Sequence, residues 1–251
     1  MQQLSCLRPS GGRQHPGALL YMPRAPAPDK CKTGKHKKGI HFMDSIIFDV
    51  DGTLWDSTDS VAKSWNLAIK ENSSLDLTIT DEALAQVFGK TMTEIADTLF
   101  YNLPEKERME LLEICFSYEN RYLEEHPGKI YEGVTETLAS LSKRYPLFIV
   151  SNCQCGYIEV LLRTCALEPF IKDHLCFGET QTPKGRTILT LMERNGLKSP
   201  VYVGDTQGDA DACAQAGIPF IFAGYGFGNV PGAEMSIRRF SELEHIEDFA
   251  I

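Results

Sequence analysis

The chain has 251 residues, 43% of them hydrophobic and 24% charged, and no apolar run approaches the ~18 residues that would span a membrane. Its formal charge of −9 is uneven: residues 1–42 carry eight Lys and Arg against one acidic residue, while the remainder carries seventeen against thirty-three. So acidic a body argues against nucleic acid as a partner, yet leaves small anionic substrates open, because a bound divalent cation inverts the local field.

Residues 1–42 are rich in Pro, Gly, Lys and Arg and lack apolar periodicity. They offer too little surface to bury against the entropy of ordering, and a disordered extension is expected. Lys38-Gly39 must be encoded AAR-GGN, three codons before Met43, at the spacing of a bacterial ribosome-binding site. The expected start of the working protein is therefore Met43. Eight cysteines, at 6, 31, 115, 153, 155, 165, 176 and 213, form no pair at zinc-ligand spacing. They read as reduced thiols of a cytoplasmic protein, those at 153 and 155 as loop residues.

From Ser45 onward, short apolar runs alternate with helical periodicity. The runs are SIIFDV (45–50), PLFIV (146–150), DHLCFG (173–178), PVYVG (200–204) and IPFIFA (218–223). Helical patterns fill 157–166, 185–195 and 209–216 between the last four. That alternation predicts an α/β fold, a doubly wound parallel sheet with helices on both faces. Almost ninety residues without a strand-like run separate the first two strands. Helical periods at 80–88, 91–101 and 105–125, punctuated by Pro104 and His126-Pro127-Gly128, predict an inserted all-helical cap over 58–127. The core is then 43–57 and 128–251. An insert after the first strand lies over the crevice where such sheets bind ligands. His126 reads as a helix-end residue, Trp65 as core and Trp55 as a neighbour of the substrate.

The first strand ends in Asp49-Val50-Asp51-Gly52-Thr53. Residues i and i+2 of a strand share a face, so the two carboxylates are expected to point the same way and repel unless a cation or proton is shared. Gly52 permits a close backbone approach. Alone, the pair would read as a solvated strand end. The grammar repeats in VYVGDTQGD, where Gly204 precedes Asp205 and Asp209. LFIVSN ends in Ser151 and Asn152, and TPKG places Lys184 at a helix start. Strand ends of one parallel sheet share one edge, which gathers carboxylates, a hydroxyl, an amide and a lysine. Such an oxygen-rich set suits Mg²⁺ and phosphate.

In their order and spacing, DVDGT, IVSN, TPKG and GDTQGD resemble the four motifs of the haloacid dehalogenase superfamily, and within it the phosphoglycolate phosphatase and β-phosphoglucomutase group. The resemblance covers about 45–230, including a glycine-rich GYGFG after the last strand. It implies a Mg²⁺-dependent phosphatase of a small phosphorylated metabolite, acting through an aspartyl phosphate, as a monomer or homodimer. Asp49 would be the nucleophile and Asp51 the general acid and base. Asp49, the Asp51 carbonyl and Asp205 would ligate the metal, with Asp209 supporting it or anchoring the lysine. Ser151, Asn152, Lys184, Thr53 and N–H groups near Gly52 would hold the phosphoryl oxygens. Lys90, in the cap-loop sequence VFGKT, would meet the anionic or polar end of the substrate. Asp51 argues against a dehalogenase. The mutases carry a histidine twelve positions after the nucleophile, where Val61 stands here, and usually Val where Thr53 stands. A pyrophosphatase and a phosphotransferase remain alternatives, as does a catalytically silent phosphate-binding regulator.

Overall fold

The computed structural model describes residues 43–248; the expectations for residues 1–42 lie outside them. In chain order the elements are β1 (Ser45–Phe48), β2 (Trp55–Asp56), α1 (Thr58–Asn72), α2 (Asp81–Ala85), α3 (Met92–Leu99), α4 (Glu105–Glu125), β3 (Lys129–Ile130) and α5 (Val134–Leu141). There follow β4 (Leu147–Ser151), α6 (Tyr157–Thr164), β5 (Ile171–Cys176), α7 (Phe177–Thr180), α8 (Lys184–Asn195), β6 (Pro200–Gly204), α9 (Gln207–Ala216), β7 (Phe220–Ala223) and β8 (Ser236–Ile237). A last 3₁₀ segment covers Phe240–Asp248.

Six strands form one parallel sheet in the order β5-β4-β1-β6-β7-β8. All five runs read from the sequence are in it, and β8 extends it beyond them. β1 is central, with Phe48 opposite both Ile149 and Val203. Its residues are fully buried on both faces, which is why they read as a continuous apolar run. Ile46 and Phe48 pack on one side with α6 residues such as Leu161; Ile47 packs on the other with Ile188 and Leu191 of α8 and Cys213 of α9. Each such side chain contributes about 1.5–3 kcal/mol by leaving water.

Between β2 and β3 lie four helices and no strand. β2 and β3 pair antiparallel, Trp55 opposite Ile130, and so tie the two ends of this segment together. Neither two-residue strand was visible in the sequence, because so short a pair carries no periodicity. α1 and α4 bury a shared seam of Val61, Trp65, Ile69, Leu112 and Cys115. Thr91 caps α3 in a reciprocal capping box with Glu94. The helical segment also touches the strand-end loops: Asn120 Nδ2 donates to the Cys155 carbonyl at 2.9 Å, and the Phe88 and Phe227 rings meet edge-on at 6.0 Å.

Candidate active site

Adjacent strands β4, β1 and β6 deliver Ser151, Asp49 and Asp205 side by side at the C-terminal edge of the sheet. α8 starts with Lys184, and α9 carries Asp209 in its first turn. Lys184 Nζ donates to Asp49 Oδ1 at 2.8 Å and to Asp209 Oδ1 at 2.6 Å, and all three side chains are buried. Burial opposes the charge on Lys184, but Asp209 and Asp49 outweigh it and hold the ammonium above its ordinary range. Tyr202 Oη, 3.5 Å from both carboxylates, donates to the Val150 carbonyl at 2.7 Å.

One oxygen of each of Asp49, Asp205 and Asp209 lies within 4.8 Å of the others. Burial, then repulsion from Asp209, pushes Asp49 well above the usual carboxylate range, with Lys184 opposing. The same two causes push Asp205 to about 7, against hydrogen bonds to Asp205 Oδ2 from the N–H groups of Phe227 (2.7 Å) and Gly228 (3.2 Å). Asp205 Oδ1 is buried and without a partner. Three carboxylates against one lysine leave two negative charges unmatched when all are ionised. An all-oxygen cluster with an orphaned oxygen and that charge fits a hard divalent cation. Asp209 contributes differently from the other two. Its Oδ1 takes Lys184, and its Oδ2 takes the Thr206 N–H at 3.0 Å and the Thr206 hydroxyl at 2.7 Å. It holds the lysine and caps its own helix.

Asp51 departs from the same-face expectation. β1 ends at Phe48, so strand alternation no longer governs the carboxylates. Asp49 turns to Lys184 on the α8 side of the sheet, and Asp51 to Tyr157 on the α6 side. Asp51 Oδ1 accepts hydrogen bonds from Tyr157 Oη (2.7 Å), Ser57 Oγ (2.9 Å) and Trp55 Nε1 (3.0 Å). Burial raises this carboxyl to about 6, and the three donors restrain the rise. Asp51 is therefore half protonated near pH 6.

Gly52 has φ +78°, and a Cβ there would lie 2.2 Å from Asp205 Oδ2. Its place in the motif is one of space. Its N–H donates to the Trp55 carbonyl and that of Thr53 to the Val50 carbonyl, so these two donors are taken up within the turn. The buried Thr53 hydroxyl has no partner. Gly226 is needed for the same closeness: its Cβ would fall 2.3 Å from the Gly52 carbonyl.

Ser151 is buried at the end of β4, in register with Cys176. Asn152 Nδ2 donates to the Gly89 carbonyl at 2.9 Å, which brings the 87–91 loop to the strand ends. A cavity of about 40 Å³ remains between them, lined by Asp51, Ser151, Asn152, Lys90, Glu119 and Tyr157 among others. Lys90 itself is exposed. A wider cleft of about 750 Å³ opens beside Gly89, Lys184 and Gln207, but Asp49 and Asp51 do not line it. The smaller cavity is the one that reaches Asp51; Asp49 lines neither.

Sequence reasoning missed Ser57, Tyr157, Tyr202, Gln154 and Glu119. Only Glu119 left a signal: it occupies the buried stripe Cys115, Glu119, Leu123 of α4, where an acid is out of place. Trp65, read as core, is buried and also donates to Glu119 Oε2 at 2.5 Å. Cys153 is buried and Cys155 exposed; burial raises both thiols, which disfavours the reactive thiolate. His126 is exposed at the end of α4, its ring 4.4 Å from that of Tyr122.

Comparison with known proteins agrees with this geometry. The family model for haloacid dehalogenase-like hydrolases matches residues 46–223. The chain is 29% identical over 201 residues to the phosphoglycolate phosphatase of Agrobacterium fabrum, covering 75% of this chain and 84% of that protein. It is 28% identical over 217 residues to that of Mesorhizobium japonicum, covering 81% and 90%. The structure of a haloacid dehalogenase-like family hydrolase from Streptococcus pneumoniae superposes with a TM-score of 0.68 at 18% identity, covering 81% of this chain and 98% of that one. With the motif residues gathered at one sheet edge and the match extending over most of the chain, the protein belongs to the haloacid dehalogenase-like hydrolase family.

Proposed function

We propose that this hydrolase is a Mg²⁺-dependent phosphatase of small phosphomonoesters. The observation that carries the reading is the buried constellation of Asp49, Lys184, Asp205 and Asp209 beside a separately held Asp51. Two carboxylates in different surroundings suit two different roles. Asp49, bonded through Oδ1 alone, attacks phosphorus with its other oxygen and becomes an aspartyl phosphate. Asp51, raised to about 6, gives its proton to the leaving alcohol oxygen and then takes one from the water that cleaves the acyl phosphate. Ser151, Thr53 and Lys184 surround the phosphoryl oxygens, with Asn152 joining them once its bond to Gly89 opens. Gly52 keeps the floor of the site open. Asp49, Asp205 and the Asp51 carbonyl would hold Mg²⁺, which supplies charge stabilisation to the transferring phosphoryl group. Asp209 keeps Lys184 in place.

The helical segment 58–127 acts as a cap. A cavity of about 40 Å³ admits only about three water-sized volumes. Substrate therefore enters with the Asn152–Gly89 contact broken, which widens the cavity and frees Asn152 for the phosphoryl group while the helical segment shields the reaction from solvent. Lys90, exposed at the rim, draws in the anionic phosphate end. Val61 is fully buried and apolar, so the position offers no proton-transferring group, which favours hydrolysis over phosphotransfer to a sugar.

Phosphate release from a panel of phosphomonoesters and pyrophosphate, with and without Mg²⁺, tests this reading against an Asp49→Asn blank. Mg²⁺-dependent turnover absent from the variant is expected. Turnover unchanged in the variant would overturn it.

A further inference from the structure

The cavity that reaches Asp51 has walls beyond Tyr157, which serves that carboxylate directly. Trp65, Phe88, Phe116 and Tyr157 line it, and Glu119 projects into the same space. Glu119 is buried, with 4% of its surface exposed. Its Oε2 accepts from Trp65 Nε1 at 2.5 Å, and its Oε1 accepts from Gln154 Nε2 at 3.0 Å. Both donors are neutral. No lysine or arginine among the described residues forms an ion pair with it. Gln154 is fixed in turn by the Asn120 side-chain carbonyl at 2.9 Å, so its amide faces Glu119 as a donor.

A buried carboxylate without a cation is costly, and Glu119 sits on the aromatic side of the cavity, away from any paired lysine or arginine. An acid among aromatic side chains is a setting that attracts an ammonium group, the carboxylate by its charge and any ring face the ligand reaches by its quadrupole; Trp65 itself turns its N–H edge to Glu119. Burial raises the Glu119 carboxyl to about 8, and a cation alongside it would favour the ionised form. A carboxylate-bearing leaving group would instead meet Glu119 and Asp51 together. The narrowness of the cavity, about 40 Å³, favours a short leaving group.

We propose that Glu119, with the aromatic walls, makes this site selective for a short amino-alcohol phosphate whose ammonium end contacts Glu119 while its ester oxygen meets Asp51. This inference rests on the phosphatase reading above and departs from the substrate that the curated relatives are named for.

Three two-carbon esters test it: 2-aminoethyl phosphate, 2-hydroxyethyl phosphate and 2-phosphoglycolate. The first two match in size and differ in a positive or neutral end; the third carries a negative, planar carboxylate with one more heavy atom. Acetyl phosphate, whose leaving group needs no proton, serves as the activity control. In the wild-type protein, kcat/KM should fall from amine to hydroxyl to carboxylate, by about tenfold between the first two. Glu119→Gln should remove most of the amine-over-hydroxyl preference and raise the relative rate on the carboxylate. These are ratios within one preparation, so partial misfolding of the variant does not affect them. If phosphoglycolate equals or exceeds the amine in the wild-type protein, or if the ratios do not move in Glu119→Gln while acetyl phosphate is hydrolysed, the selectivity proposal is wrong and the phosphatase reading stands. If all three esters are inert while the wider panel of phosphomonoesters is turned over, the selectivity proposal is wrong and the phosphatase reading stands; if the wider panel and acetyl phosphate are inert too, the phosphatase reading fails and this inference with it.

Discussion

Asp51 and its three donors set the chemistry at the scale of single residues. All three hydrogen bonds land on Oδ1 and favour the charged form, so they hold the carboxyl near 6 against a burial that would raise it further. Tyr157→Phe removes the shortest of them. The carboxyl should then rise, and the loss of general-acid activity with increasing pH should move to higher pH. A kcat/KM profile on an alkyl phosphate would show the displacement, while acetyl phosphate, which needs no acid, should lack that limb. Unmoved limbs in both profiles would mean Asp51 is not the acid. Lys90→Ala should lower kcat/KM by about three- to tenfold at low salt and less at high salt, as expected of an exposed charge that steers an anion.

The start of α9 shows how a single element serves both stability and the site. Thr206 accepts from the Asp209 N–H through its hydroxyl, and Asp209 Oδ2 reaches back to the Thr206 N–H. The same Asp209 holds Lys184 with its other oxygen. Thr206→Ala should cost about 1 kcal/mol in denaturant unfolding, the usual loss for a cap. Its effect on kcat should be larger than that stability loss suggests, because a freed Asp209 no longer fixes the lysine. In the turn after β1, Gly52→Ala adds a methyl where Asp205 Oδ2 already sits, at a φ that alanine resists. Activity should be lost together with about 1–3 kcal/mol of stability.

For the whole molecule, the buried acids couple folding to pH. Asp51, Asp205 and Glu119 stand at about 6, 7 and 8, above the ordinary 3.8 of Asp and 4.5 of Glu. Between roughly pH 4 and 8 the folded protein therefore binds more protons than the unfolded chain, and its stability falls as pH rises. Below that window both states are protonated and the contribution is complete. A cation bound by ionised Asp49 and Asp205 opposes the loss. Added Mg²⁺ should raise Tm clearly at pH 8 and little at pH 5, a difference that calorimetry or dye-based melting would detect. Equal shifts at the two pH values would argue against these carboxylates as the cation's ligands.

The residues from Ser45 to Gly204 show where legibility ends. The parallel sheet followed from apolar runs buried on both faces, and the gathering of Asp49, Ser151, Lys184 and Asp205 followed from a rule of the fold: parallel strands end on one edge. The helical period from 91 also placed the start of α3, whereas the cap at Thr206 emerged only in the structure. What the sequence did not contain was direction. Asp49 and Asp51, two residues apart, turn to opposite sides of the sheet because the strand stops at Phe48, and that stop depends on partners more than a hundred residues away. The same holds for Tyr157 on Asp51 and for Glu119 among aromatic walls. A hydroxyl or an acid on a helix reads as solvated until the tertiary fold encloses it, since burial and hydrogen-bond partners belong to packing between distant segments. Composition and spacing determined the fold class and gathered the polar groups at one edge; only the packed structure decided which way each carboxylate turns, which donors hold it and what encloses the cavity beside Asp51, because those depend on contacts between distant segments.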